Sequence, residues 1–357
     1  MTDNRLFVST SPHIKKNISV AKVMWVVFIS LIPAFMHTVY LFGVRTLWVA
    51  LAALAAALAS EAAMELLFRK KVTVSDGSAA LTAILIVFNM PPQIELWKVA
   101  LGTAFAVIVA KQLFGGLGYN IFNPALAGRA FLVASYPASM TSGWTAPKGG
   151  LLSISDMAFG VINDPATAKF VETVTSATPL GAIKTAKAAI SDPALKDTAV
   201  KAVDTLFSSG MTENAFLGRI GGCFGEITAL FILLGGLALI IMKIVDWRIP
   251  AGYLGTVAAL SWAFGGIHGL FTGNPLFYLF TGGLMLGAFY MATDMVTSPM
   301  TRKGKWIFAV ALGLLTFTIR TWGGYPEGVS YSILLMNIFV PLIDKYAVPR
   351  VLGEVKR

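Results

Sequence analysis

The sequence predicts an all-α polytopic membrane protein of about ten transmembrane helices. These fall into two inverted five-helix repeats, with some broken or half helices and one long extracytoplasmic loop. Three observations carry this reading. First, of 357 residues 56% are hydrophobic and only 13% are charged, with a mean hydropathy of +0.73. A soluble domain carries roughly a quarter charged residues, so a chain this poor in charge cannot cover a water-facing surface. Second, apolar runs recur along almost the whole chain. Third, Lys and Arg gather at alternate ends of those runs, as the positive-inside rule requires.

The apolar runs place spans at 23–42, 47–68, 78–90, 96–113 and 124–136, then at 224–244, 250–264, 275–295, 306–322 and 331–343. Several are too short to cross roughly 30 Å of hydrocarbon as single helices. With the N-terminus inside, the cytoplasmic ends hold Lys15, Lys16, Lys22, Arg69, Lys70, Lys71, Lys111, Lys243, Arg248, Arg302, Lys303, Lys305, Lys345, Arg350, Lys356 and Arg357. The short outer loops hold little beyond Arg45, Lys98 and Arg320. The division is then a cytoplasmic segment (1–22), a first membrane repeat (23–137), an extracytoplasmic loop (138–215), a second repeat (216–345) and a cytoplasmic tail (346–357). Both termini are expected in the cytoplasm, with the chain integral to the inner membrane of a bacterium or archaeon. No cleavable signal pattern precedes the first span.

The halves are alike in order. An apolar run ends at Pro91, Trp97 opens the next span, and Gly115-Gly116 closes it; in the second half Pro299, Trp306 and Gly323-Gly324 stand in the same sequence. An odd number of spans per half makes the repeats inverted, an arrangement that places sites near the midplane at broken or Gly/Pro-interrupted helices.

The net charge of +10 is explained by the span ends. Nucleic-acid binding is excluded as a function, since there is no basic domain outside the membrane and no such motif. Cys223, the one cysteine, makes no disulfide framework or zinc site and cannot hold an iron–sulfur cluster alone. His37 and His268 lack metal-ligand spacing and read as structural. No metal site is expected.

Residues 115–126 hold three glycines, Asn120, Asn123 and Pro124. Glycine permits unusual backbone angles and close approach of a ligand, asparagine offers donors and acceptors without charge, and proline suits the first turn of a helix. Irregular backbone inside lipid must be buried in protein or line a cavity. The segment reads either as a re-entrant turn satisfied by its own side chains or as a pocket for a neutral, hydrogen-bonding ring, with Gly115, Gly116, Asn120 and Asn123 as its residues. Arg129 follows on a short span and is a candidate cofactor-binding residue, because an intramembrane charge needs a partner or water. Asp76, Glu226 and Asp294, all near span ends, are candidates for a cation path or for pairing with Arg129, Lys111 or a helix end. The outer loop contains the Ser/Thr-rich run 172–180, which by composition is a turn and cap before an amphipathic Ala/Lys helix. No triad accompanies it, so nothing supports a hydrolase.

These residues resemble a known family. The segments SDGSAALTAILIVFNMPP (75–92), AKQLFGGLGYNIFNPALAGRAFL (110–132), TSATPLGA (175–182), GGCFGEITALFILLGG (221–236) and FYMATDMVTSP (289–299) are similar to those of the RnfD proteins. They are similar more distantly to NqrB of the sodium-pumping quinone reductase, and the likeness covers nearly the whole chain. The resemblance implies FMN held by a phosphoester on Thr178 and placed there by a flavin transferase. Glu172 stands where that enzyme's recognition sequence commonly has Asp, and Ser176 where it often has Gly. It also implies riboflavin at Asn120 and Asn123, with Gly115 and Gly116 beside them. The implied activity is electron transfer between ferredoxin and NAD⁺ coupled to Na⁺ or H⁺ translocation, within a complex of iron–sulfur and flavin subunits. This chain alone would have no turnover.

Other readings are open on the sequence alone. The same inverted repeat could form a channel or transporter for a small polar solute, or an NqrB-like component of a quinone reductase, or a purely structural anchor for catalytic partners.

Overall fold

The computed structural model describes residues 19–70, 72–141, 178–193, 195–324 and 327–348. The residues before 19, those after 348, and 142–177 with Glu172 and Ser176 lie outside the described part. All regular structure among the described residues is helical. The chain is an all-α polytopic membrane protein.

The first half opens with α1 (Val20–Phe42) and α2 (Arg45–Leu67). Ser19 caps α1 by accepting from the Lys22 amide (3.2 Å), and Gly43 ends it with φ of 74°. At 23 residues each, α1 and α2 are long enough to cross a bilayer, as is α14 below. Next come α3 (Ser78–Phe88), α4 (Leu96–Val107), which widens into a π turn over Ile108–Gln112, and α5 (Pro124–Ser135), followed by the short α6 (Pro137–Thr141). The spans expected at 78–90 and 124–136 are therefore helices of 11 and 12 residues, about half a bilayer each at roughly 1.5 Å per residue.

Three helices of the loop region follow: α7 (Pro179–Ala189), α8 (Lys196–Leu206) and α9 (Ser209–Leu217). The second half holds α10 (Ala229–Ile241), α11 (Arg248–Phe264), α12 (Pro275–Phe280), α13 (Leu284–Leu286) with its π turn over Gly287–Met291, α14 (Arg302–Trp322) and α15 (Val329–Tyr346). The span expected over 275–295 is broken at Thr281–Gly283, where two glycines take φ of 70° and 66°.

The packing repeats as the element order does. In the first half α2 lies along α4 and α4 along α5; in the second, α11 lies along α14 and α14 along α15. Each half also starts a short helix from a left-handed glycine, Gly77 (φ 81°) and Gly283 (φ 66°), whereas the π turns fall at different places, Ile108–Gln112 after α4 and Gly287–Met291 after α13. Gly77 is held on two counts. A Cβ there would adopt a strained backbone and would also meet the Trp25 ring at 3.0 Å. The apolar side chains left outside, among them Trp48, Leu51, Ile241, Trp262, Ile307 and Ile338, are exposed and suit lipid.

The loop helices dock on the second half. Leu180, Ile183 and Leu206 pack with Phe277 and Tyr278 in a small apolar core of their own. Lys184 donates to the Gly323 carbonyl, and Lys187 to the Gly265 carbonyl (2.5 Å) and the Tyr278 hydroxyl (3.3 Å). These carbonyls lie at the C-terminal ends of α14 and α11, where cations are favoured. Burial lowers the pKa of both lysines.

At the other end, Asp246 accepts from Arg248 Nη1 (2.9 Å) and Lys305 Nζ (2.9 Å), tying the turn before α11 to the start of α14. Burial pushes its carboxyl up, but the Lys305 and Arg248 hydrogen bonds and charges outweigh this and hold it below the ordinary value. Asp246→Asn should therefore cost about 0.5–1 kcal/mol at neutral pH, as partly exposed pairs do. A carboxyl lowered by folding stabilises above its unfolded pKa of about 4 and loses that contribution as the pH falls further. Thermal melts of the two proteins should converge in that acid range.

Candidate functional site

The segment with the unusual residues lies against a cavity of about 90 Å³, several times what one water needs. Its polar lining is Ser78, Thr82, Lys111, Asn120, Asn123, Tyr290, Thr293 and Asp294, and apolar side chains of α1, α3 and α10 are among the rest of the wall. The two halves thus build it together.

The local sequence explains each position. Gly115, Gly116 and Gly118 take φ of 125°, 103° and 95°, turning the chain sharply after α4. The Gly115 carbonyl accepts from Lys70 Nζ (2.9 Å). Gly115 and Gly116 shape the turn and are not among the lining residues, whereas Leu117 and Asn120 are. Asn120 closes the turn by donating to the Phe122 carbonyl (3.1 Å). Asn123 caps α5: its Oδ1 accepts from the amides of Ala125 (3.0 Å) and Leu126 (3.3 Å), with Pro124 in the first turn. Its Nδ2 donates to the Met291 carbonyl (3.3 Å), crossing to the other half. Asn337 joins this layer in the amide orientation that satisfies both its ends, accepting from the Asn123 amide (3.1 Å) and donating to the Thr297 carbonyl (3.2 Å). Neutral amides and apolar side chains give this wall the chemistry of a site for a flat ring with hydrogen-bonding edges, and a cavity of this volume must widen to admit one.

Asp294 caps its own turn, accepting from the Val296 amide (3.3 Å) and the Thr297 hydroxyl (3.2 Å), and faces the cavity. Asp76 caps α3 through the Ser78 amide (2.7 Å) and hydroxyl (2.6 Å). Ser78 also accepts from Lys111 Nζ (2.6 Å), which pairs with Glu61 (2.5 Å).

Arg129 and Glu226 lie apart from the cavity, beyond the layer where α3 and the π turn of α13 end together. Asn89 Nδ2 and Met291 Sδ are 3.8 Å apart there, and the Gly225 amide donates to the Phe88 carbonyl (2.7 Å). Arg129 donates to Asn89 Oδ1 (2.8 Å) and pairs with Glu327. Ligand atoms of Cys223, Glu226 and Glu327 lie within 4.8 Å of one another. Arg129 pairs with one of these two acids, Glu327, while Glu226 Oε1 has no hydrogen-bond partner among the described residues. Cys223 is buried and its thiol lies 3.5 Å from the Asn89 carbonyl. His37 is packed against Phe231, and His268 meets Asp204 at 2.9 Å.

Thr178 is placed at the N-cap of α7. Its Oγ1 accepts from the Gly181 amide (3.3 Å), Pro179 occupies the first turn, and the residue is 2% exposed.

Sequence reasoning did not single out Glu61, Glu327 or the carbonyl-bound guanidinium of Arg320, which donates to Tyr278, Thr281 and Gly282. A signal existed for Glu61, since an acid within the apolar run of α2 needs a partner.

The NQR2, RnfD, RnfE family matches residues 7–353. A Clostridium ljungdahlii protein, the D subunit of a proton-translocating ferredoxin:NAD(+) oxidoreductase complex, is 44% identical over 347 residues, covering 97% of this chain and 96% of the relative. An Acetobacterium woodii protein, the D subunit of a Na(+)-translocating complex of that kind, is 41% identical over 357 residues, covering 100% and 98%. The D subunit of an ion-translocating oxidoreductase complex from Stutzerimonas stutzeri is 39% identical over 338 residues, covering 94% and 93%. With a match that runs nearly end to end, the chain belongs to the NQR2, RnfD, RnfE family.

Proposed function

We infer that this chain is the D-type membrane component of an ion-translocating ferredoxin:NAD⁺ oxidoreductase complex. In this reading it carries FMN on Thr178 and riboflavin in the Asn120/Asn123 cavity, and passes electrons between partner iron–sulfur and flavin subunits as Na⁺ or H⁺ is moved. The observation that carries the assignment is the nearly full-length likeness to relatives named as D subunits. The channel reading accounts for neither the Thr178 motif nor that likeness.

Local geometry supports each flavin. Bound flavin would supply the one- and two-electron chemistry, while the protein supplies position and electrostatics. At Thr178 a phosphoester oxygen would stand at the positive end of α7, where the Gly181 amide already points. Because Thr178 is buried, a flavin transferase must reach it before α7 docks, or with α7 undocked. In the cavity Asn120 and Asn123 would hold the ring edge, with Gly115 and Gly116 setting the turn and Arg129 buttressing the layer beneath. Asp76 and Asp294 at the cavity end and Glu226 beyond the Asn89–Met291 layer are the candidate cation path.

Orientation follows from charge. Lys22, Arg69, Lys70, Lys243, Arg248, Lys305 and Lys345 flank the ends of helices. This is the cytoplasmic side of an inner membrane in our reading, with both termini there and α7–α9 outside.

Asn123→Ala tests the cavity. The purified complex should keep its covalent flavin but lose the riboflavin released by acid precipitation, resolved by chromatography from flavin released by partner subunits. Release equal to wild type would contradict the assignment of the cavity.

A further inference from the structure

We propose that Asp76, Ser78 and Lys111 form a proton relay joining water at the end of α3 to the cavity. This rests on the reading of that cavity as a flavin site. Asp76 is partly exposed, and its neighbours Val72, Thr73 and Ser75 are exposed. Its Oδ1 accepts from the Ser78 hydroxyl at 2.6 Å, and the Ser78 oxygen accepts from Lys111 Nζ at 2.6 Å. Ser78 and Lys111 both line the cavity, and Asp76 does not. The result is an unbroken line of exchangeable protons from a surface carboxylate to a buried cavity wall.

Packing alone gives this arrangement no rationale. Lys111 and Glu61 are 2% and 1% exposed, and a buried ion pair is on average no more stabilising than apolar side chains of the same volume. The pair is assembled by the π turn at Ile108–Gln112, a local irregularity frequent at functional sites. It lets Lys111 and Gln112 both reach Glu61, whose Oε1 accepts from Gln112 Nε2 at 3.0 Å. Glu61 Oε2 has no partner among the described residues, so the carboxylate retains capacity to stabilise the ammonium as protons come and go. Glu61 is a positioning residue for Lys111.

The charged groups around the relay are Glu61 and Glu65 on α2, Asp76 before α3, Lys111 on the π turn, Lys70 bound to the Gly115 carbonyl, and Asp294 across the cavity. Acids outnumber bases, which draws protons inward. The transfer balances without any redox step. Lys111 Nζ gives a proton to the cavity and takes the Ser78 hydroxyl proton. Ser78 takes one from the Asp76 carboxyl, which water has first protonated, and Asp76 returns to the carboxylate that accepts from the Ser78 hydroxyl. One proton enters at Asp76, one leaves at Lys111, and no group ends in a changed charge state.

The test uses the intact purified complex, with electrons delivered by photoreduced ferredoxin. Proton uptake is followed with a pH indicator dye, and the Asp76 carboxylic acid by its infrared band, assigned through its absence in Asp76→Asn. That variant keeps the cap on α3, because the asparagine oxygen still accepts from the Ser78 amide. A relay predicts that Asp76→Asn and Ser78→Ala each slow proton uptake about a hundredfold, the scale of a lost positioned proton carrier. Noncovalent flavin content should be unchanged in Asp76→Asn, Ser78→Thr should restore the rate, and the Asp76 band should decay more slowly in Ser78→Ala. Wild-type uptake rates in both Asp76→Asn and Ser78→Ala would overturn the relay. So would loss of flavin in both Ser78→Ala and Ser78→Thr, which would assign Ser78 to packing. A wild-type complex without noncovalent flavin would instead contradict the reading of the cavity itself, and the relay with it.

Discussion

Replacing Lys111 with Met is expected to destabilise the folded chain by about 3–5 kcal/mol, because it strands a buried carboxylate. Glu61 is 1% exposed, and among the described residues its Oε1 accepts only from Lys111 and Gln112. Methionine matches the lysine stem in length but returns no charge, and the Gln112 amide at 3.0 Å is a weak substitute. The adjoining cavity, which Lys111 lines, has room for only a few waters and cannot solvate the orphaned acid as bulk water would. The pair should show strong coupling: Lys111→Met with Glu61→Leu removes both charges and should recover most of the lost stability. Thermal melts of the detergent-solubilised complex, with proteolysis as a second probe, measure this. Equal melting of wild type and Lys111→Met would mean that the pair is not closed in the folded protein. A double variant no better than the single would locate the cost in packing around the π turn.

Thr178→Ala should reduce ferredoxin:NAD⁺ electron transfer by the complex to background while leaving the complex assembled. The structural loss is small. The hydroxyl accepts one long hydrogen bond from the Gly181 amide, and an N-cap is worth about 1 kcal/mol. Pro179, Lys184 and Lys187 still start and dock α7. On the proposed function the expected loss is large, because removing the oxygen removes the only side-chain atom through which a phosphoester could be made at this position. Thr178→Ser keeps that oxygen and should retain measurable transfer. Size-exclusion profiles and flavin-linked turnover of the three proteins separate the two effects. Near-normal turnover in Thr178→Ala would assign the loop a structural role.

Much of the fold was legible because lipid leaves few choices. The apolar runs at 23–42, 47–68 and 306–322 became α1, α2 and α14, since an uninterrupted run of that length has one way to satisfy its backbone. The likeness of the halves, read from Pro, Trp and Gly-Gly spacing, reappears in the packing of α2 on α4 and of α11 on α14. The break at Thr281–Gly283 was not placed within the 275–295 run. Hydropathy averages over a window and registers neither two left-handed glycines nor the Arg320 guanidinium that binds the Thr281 and Gly282 carbonyls. In the site, Asn120 and Asn123 were found by their amides and by the proline that follows, and Asp294 by its charge in an apolar run. Glu61, Ser78 and Lys111 were not assembled into a unit. They lie on three elements and meet only when α2, α3 and the π turn pack, which no local pattern records. Glu327 was missed for the same reason, its partner Arg129 lying 198 residues away in sequence.

The central claim, a flavin-carrying redox component, is tested most directly by flavin fluorescence of the denatured polypeptide on a gel. The chain is co-expressed with a flavin transferase whose activity is confirmed on a control substrate, and wild type is run beside Thr178→Ala. A fluorescent wild-type band that is absent from the variant is the expected result. A dark wild-type band would contradict covalent flavin on this chain and bring the solute-transporter reading forward.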